Sequence, residues 1–179
     1  MDIKQYLKCL NASTHSALEL VKNYSTEELL FKQEGEYSIA DILEHICISD
    51  ERTIALLKTE SNNIAATGEL YGDEKLKKIV VDHTAGAKIT AIEIQELKGS
   101  IIDFSSFEKV FLMQRSSLHN SLQSGEIKIS NKIYPHLYLK DMTVTDWLKY
   151  LVYHTIYHLN DMKETKIQYK KSGASEQTV

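Results

Sequence analysis

A single proline, Pro135, interrupts the 179-residue chain, and glycine occurs only seven times. Turn-rich β folds use both residues far more often, so their scarcity points to helices. Cysteine is equally sparse. Cys9 and Cys47 lie far apart, form no CxxC and offer no disulfide framework. Two isolated thiols fit a reducing compartment, and the expected location is the cytoplasm. Long apolar runs are missing too: no stretch approaches the ~20 residues that span a bilayer. The first 21 residues carry Asp, Lys, Glu and Asn throughout, unlike the apolar centre of a signal peptide. Nor is there an excess of positive charge, since 21 Lys and Arg stand against 25 Asp and Glu for a net of −4. That balance excludes the basic face of a nucleic-acid binder and a polybasic membrane anchor. Neither nucleic acid nor a membrane is an expected partner.

What the chain does have is helical patterning. Apolar residues make up 42% and charged residues 26%, as in ordinary globular domains, and this length suffices to bury a full core. The expectation is one all-α domain over residues 1–169, with the polar stretch 170–179 as a frayed tail. Four segments place apolar residues at alternating steps of three and four, the core-facing seam of a bundle helix. The first opens at Asp2 with Gln5 three residues on, and its stripe is Ile3, Leu7, Leu10, Thr14, Ala17, Val21. The second starts at Ser38 with Asp41 completing a capping box, turns Ile42, His45, Ile46 and Ser49 inward, and ends near Lys58. The third starts at Ser105 with Glu108, shows Phe107, Phe111, Gln114, Leu118 and Leu122, and stops at Gly125. The fourth starts at Thr143 with Asp146. Its inner face reads Val144, Trp147, Leu148, Leu151, His154, Thr155, His158, Met162, and it continues toward Ile167. These describe a four-helix bundle with a long crossover, residues 59–103, between helices 2 and 3. Ser25 and Glu28 predict a short extra turn, Asp73 to Asp82 another, and Ile127, Ile129 and Ile133 a short extended or hairpin piece.

His154 and His158 stand four residues apart, so both project from one helix face, about 40° apart around the axis. Imidazoles so placed can converge on one ion, and neutral imidazole is a favoured donor for zinc, nickel and similar metals. The pair lies between Leu151 and Met162 on the apolar face, a costly place for a polar ring unless its nitrogens are occupied. That spacing alone is a weak signal. His45 strengthens it, because it too lies on a buried stripe, flanked by Ile42 and Ile46 on another helix. The candidate metal ligands are therefore His45, His154 and His158. The competing reading is three core rings bonded to carbonyls or to hydroxyls of the ten tyrosines. His15, His83, His119 and His136 are expected to be solvated or locally bonded, although the loop of His136 can pass over the bundle mouth. Cys47 points about 200° away from His45 and reads as packing. Asp161 and Glu51 are close enough in sequence to orient an imidazole, but read as solvated helix carboxylates.

With these residues assembled, the sequence resembles the DinB/YfiT-like family of metal-dependent helical proteins over most of its length. YSIADILEHI, Tyr37 to Ile46, is similar to the family segment leading to the first histidine ligand. SFEKVFLMQRSSLHNSL, Ser106 to Leu122, resembles the third helix, including Arg115. DMTVTDWLKYLVYHTIYH, Asp141 to His158, is similar to the closing motif with two more histidines four apart. Carried over by position, the family's metal triad falls on His45, His154 and His158. The chain departs from the pattern at Tyr157, where relatives often carry Arg, and at Asp161, where many carry Gln. It departs again at Leu139 and Lys140, where a Gly is common. The resemblance implies a four-helix bundle with a divalent metal, a homodimer and, as in several relatives, thiol-dependent transferase or isomerase chemistry.

Three protein ligands leave a coordination position open, as in catalytic and not structural zinc sites. Three imidazoles suit zinc or nickel foremost, with iron and manganese also compatible. The expected function is a metal-dependent enzyme, transferase or hydrolase, acting on a small molecule. Thiol transferase-like chemistry with a low-molecular-weight thiol fits best. No residue stands out as its general acid or base. The alternative is a metal- or ligand-binding helical bundle without turnover, serving in stress response.

Overall fold

Short polar side chains start every long helix by accepting backbone N–H groups that the first turn leaves unbonded. The structure, a computed structural model, describes residues 1–82 and 97–173. Helix α1 (Ile3–Val21) starts on Asp2, whose carboxylate accepts from the Lys4 N–H at 3.0 Å. Reciprocal capping boxes open α2 (Thr26–Leu30) at Ser25 and Glu28, and α3 (Ile39–Leu57) at Ser38 and Asp41. A short helix, α4 (Asp73–Val80), lies in the expected place within the crossover. Helix α5 (Phe104–Ser124) corrects the expected start at Ser105. Asp103 is its cap, accepting from Ser106 N–H at 2.7 Å, and Ser106 takes the place expected of Glu108. A charged carboxylate is the stronger acceptor, so the helix begins on it. Gly125, at φ +76°, ends α5 in a left-handed turn.

Strands β1 (Ile133–His136) and β2 (Lys140–Thr143) form an antiparallel hairpin, pairing Ile133 with Thr143 and His136 with Lys140. The extended piece expected from Ile127 onward thus begins only at Ile133. Ile127 is buried instead, its N–H bonded to the Ser121 carbonyl at 2.9 Å. Helix α6 (Val144–Lys171) follows the hairpin directly, boxed by Thr143 and Asp146. It runs past the expected end at Ile167 and takes in Lys170 and Lys171, whose charges suit a helix C-terminus. The rest of the expected frayed tail, 174–179, lies outside the described residues, as does His83.

Helices α1 and α3 each pack on both α5 and α6, so the four long helices close a ring. Two apolar clusters fill it. In one, Tyr6 and Leu10 meet Ile54 and Leu57, Leu118 and Leu122, and Leu148 and Leu151. In the other, Ala17 and Val21 meet Ile39 and Leu43, Phe107 and Phe111, and Leu159 and Met162. The sharing of ends means that α1 runs with α6, and that α3 and α5 run together in the opposite sense. A short turn cannot join parallel neighbours, which is why a long crossover links α3 to α5. On α1 the buried position near the N-terminus is Tyr6; Ile3 and Leu7, expected inside, are half-buried. Among the described residues, no helix is long and apolar enough to cross a membrane.

Two buried carboxylates pin the crossover. Asp146 accepts Leu70 N–H at 2.9 Å and Tyr71 N–H at 3.3 Å besides completing its own capping box. Glu44 accepts the N–H groups of Lys98, Gly99 and Ser100 at 2.9 to 3.1 Å, and the Ser100 hydroxyl at 2.7 Å. Burial alone pushes the Glu44 carboxyl up, but these donors outweigh it and hold the group below its ordinary range. The residue that anchors the returning chain is thus the neighbour of His45.

Candidate metal centre

A polar layer separates the two apolar clusters. It comprises Ser13 and Thr14 of α1, His45, Ser49, Asp50 and Thr53 of α3, Gln114 and Arg115 of α5, and His154, Thr155 and His158 of α6, all buried. Burying so many polar groups costs stability unless they bond one another or hold something. His45 is fully buried, and His154 and His158 are each 3% exposed.

The helical spacing does what the sequence suggested and more. His154 Nε2 lies 3.0 Å from His45 Nε2 and 3.1 Å from His158 Nε2. The three ligand atoms all fall within 4.8 Å of one another, close enough to share one ion. Among the described residues no fourth His, Cys, Asp or Glu joins the group. Unprotonated imidazole nitrogens facing at 3 Å repel, and either a shared proton or a cation between them relieves this. Protonation is disfavoured at His154: burial, then the neighbouring histidines, push its pKa well below the ordinary value. Three imidazole nitrogens around one point are the donor set of a borderline divalent ion.

Asp161 is not the solvated carboxylate the sequence suggested. Its Oδ2 lies 2.9 Å from His158 Nδ1, one helical turn away on α6. An anion there keeps the proton on Nδ1, which leaves the Nε2 lone pair directed at the other two rings. The Tyr157 hydroxyl also donates to Asp161, and burial followed by that carboxylate pushes the phenol up to about 12. Glu51, by contrast, is exposed. His154 Nδ1 is buried and has no hydrogen-bond partner among the described residues. Only His158, of these two, has its tautomer set by a protein carboxylate.

A cavity of about 210 Å³ opens beside the triad, lined by His45, Ser49, Thr53, Trp147 and Tyr150, with Arg52 and His136 among its walls. The hairpin brings His136 there, and the ring sits 5.0 Å from Trp147 and 4.8 Å from Tyr150. Its Nδ1 accepts the backbone N–H groups of Tyr138 and Leu139 at 3.1 and 3.2 Å, so it is locally bonded as expected. Burial lowers its pKa to about 4. Tyr150 in turn stacks on His154 at 5.2 Å. His15 is exposed, His119 half-buried, and neither belongs to the cluster. Cys47 packs in the second apolar cluster, where burial pushes its thiol up.

The sequence reading missed the buried ion pair behind the triad. Arg115 Nη2 lies 2.8 Å from Asp50 Oδ2 and donates to Thr155 Oγ1 at 2.7 Å, beside His154. Asp50 is 1% exposed and Arg115 5%. Burial raises the Asp50 carboxyl to about 6 in spite of the guanidinium. The signal was present in the pattern: Asp50 and Arg115 each follow directly on a residue of an inward stripe, Ser49 and Gln114.

A family model described as the DinB superfamily matches residues 10–162, a span that holds all three histidines, Asp161 and the Asp50–Arg115 pair. Comparisons with curated proteins and with solved structures gave no match.

Proposed function

The chain belongs to the DinB superfamily, and on that footing we propose that it binds one divalent metal ion through His45, His154 and His158 and uses it as an enzyme on a small molecule. The observation that carries this is the meeting of three buried imidazole nitrogens, with contacts of 3.0 and 3.1 Å, in the polar layer between two apolar clusters. Zinc or nickel suits the donors best, with iron and manganese compatible. His45, His154 and His158 would hold the ion, which would supply Lewis acidity toward a water or thiol at neutral pH. The side chains do the rest. Asp161 fixes the His158 tautomer, Trp147 and Tyr150 give the cavity an aromatic wall, and its size suits a small reactant. A low-molecular-weight thiol is the reactant we favour, because a metal activates it without a basic side chain.

One observation favours the reading without turnover. Asp161 is engaged by His158 and Tyr157, and His136 Nδ1 by two N–H groups, so neither is free as a general base. Elemental analysis of tag-free protein tests the common core: one equivalent of metal per chain, lost on His45→Ala. A thiol-conjugation assay then separates the two, with His154→Ala abolishing conjugation in a folded protein if the chain is an enzyme. A homodimer in the cytoplasm is proposed on the family resemblance, and equilibrium sedimentation checks the assembly.

A further inference from the structure

The cavity beside the triad is lined by hydrogen-bond donors and aromatic rings, and among the described residues no carboxylate lines it. We propose that it binds the carboxylate group of a small organic acid, with the Arg52 guanidinium and the His136 Nε2–H as the recognising groups. This names the substrate class of the proposed metal site and rests on the reading that the substrate meets the ion in this cavity.

Arg52 carries the first part. It is exposed at the cavity wall, one turn beyond Ser49 on α3, and has no ion-pair or hydrogen-bond partner among the described residues. Among the described residues that line the cavity it is the one permanent cation. A guanidinium is a planar fork of five donors that matches a carboxylate with two parallel bonds. In a chain of net charge −4, a cation left unpaired at the entrance is a place for an anion.

His136 carries the second. Both Tyr138 and Leu139 donate to its Nδ1, so the single proton of the neutral ring must sit on Nε2. With its acceptor nitrogen used up, the ring can only donate, and burial keeps it neutral. It therefore meets an oxyanion as a fixed hydrogen-bond donor.

Size and walls narrow the class. At about 210 Å³ the cavity is smaller than the ~300–1,000 Å³ of sites for drug-sized ligands. Trp147 and Tyr150 offer apolar faces to a carbon skeleton, which a bare inorganic anion does not need. Three neutral ligands leave the ion's charge uncompensated, and that adds to the pull on a carboxylate.

Benzoate, benzamide and inorganic phosphate titrated into tag-free protein test this by calorimetry, with metal content measured on the same sample. Saturable benzoate binding is expected, weakened at least about tenfold by Arg52→Gln and by His136→Phe, since charge-assisted bonds are worth that much. Benzamide should bind at least about tenfold more weakly, and Arg52→Lys should restore part of the loss. Arg52 is exposed, so its variants keep the fold even if His136→Phe disturbs the hairpin turn. The proposal is overturned if benzoate does not bind, if Arg52→Gln binds it as well as the parent, or if benzamide or phosphate binds as tightly. Metal bound without Arg52-dependent benzoate binding sinks this proposal alone. Arg52-dependent benzoate binding without metal sinks the metal reading and leaves the carboxylate site.

Discussion

Replacing Asp161 by alanine tests whether its carboxylate tunes His158 as the proposed metal ligand. The bond at stake is His158 Nδ1 to Asp161 Oδ2, 2.9 Å long, with the histidine side chain 4% and the aspartate side chain 28% exposed. A hydrogen bond to a charged group contributes ~1.5–3 kcal/mol net. Independently, removing the partner of a metal-bound histidine lowers metal affinity ~10–100-fold, or ~1.4–2.8 kcal/mol. The two routes agree. Because Asp161 is partly exposed, water can replace it in the variant, and the loss should fall nearer tenfold than a hundredfold. Asp161→Asn keeps an acceptor and loses only the charge, so its affinity should drop a few-fold. Tyr157→Phe, which removes only the second donor to Asp161, should change little. The assay is competition for zinc against a chromophoric chelator, on protein freed of any histidine tag. Unchanged zinc affinity in a folded Asp161→Ala protein would refute the reasoning, because the anion would then have no part in setting the ligand.

Other outcomes concern the scaffold. Glu44→Gln leaves three backbone N–H groups competing for one acceptor, and should cost ~2–3 kcal/mol in urea denaturation. Since the folded Glu44 pKa lies below the unfolded value, its contribution is present above about pH 4.5 and fades as pH falls through the folded value. The variant should flatten that acid limb, and an unchanged slope would contradict the clamp. Arg115→Met strands a buried Asp50 and should destabilise by ~3–5 kcal/mol at neutral pH. The folded Asp50 carboxyl is already raised to about 6, so stability present below the unfolded value is lost as pH rises. Without the guanidinium the folded value rises further, so the variant should regain stability progressively as pH falls from 7.5 toward the unfolded value of 3.8, and a double change of Asp50→Leu with Arg115→Met should recover at any pH. Lys140, the first residue of β2 after the hairpin turn, holds a left-handed φ of +59°. Glycine there relieves ~1–2 kcal/mol of strain at ~0.4–1 kcal/mol of chain entropy, so Lys140→Gly should raise the unfolding free energy by ~0.5–1 kcal/mol, read as a higher urea midpoint. A lower midpoint would show that the lysine side chain matters more than its backbone.

Local chemistry made much of the architecture readable in the chain. A capping box needs partners three residues apart, and an amphipathic helix repeats every three or four, so Ser38, Thr143 and the stripes of α3, α5 and α6 announce themselves. The same 3.6-residue period places His154 and His158 on one face. The ambiguous cases were those where two local patterns compete: Asp103 against Ser105 as cap, or Tyr6 against Ile3 and Leu7 as the buried face of α1. Other features depend on residues tens of positions apart and leave no periodic trace. Glu44 grips residues 98–100, Asp146 grips 70–71, and Arg115 meets Asp50, all across gaps that only the closed ring of helices brings together. Asp161 is the instructive middle case: its spacing from His158 was visible, but a carboxylate one turn away on a helix is usually solvated. Burial of the histidine ring made it a partner, and burial is a property of packed neighbours, which a linear pattern does not contain.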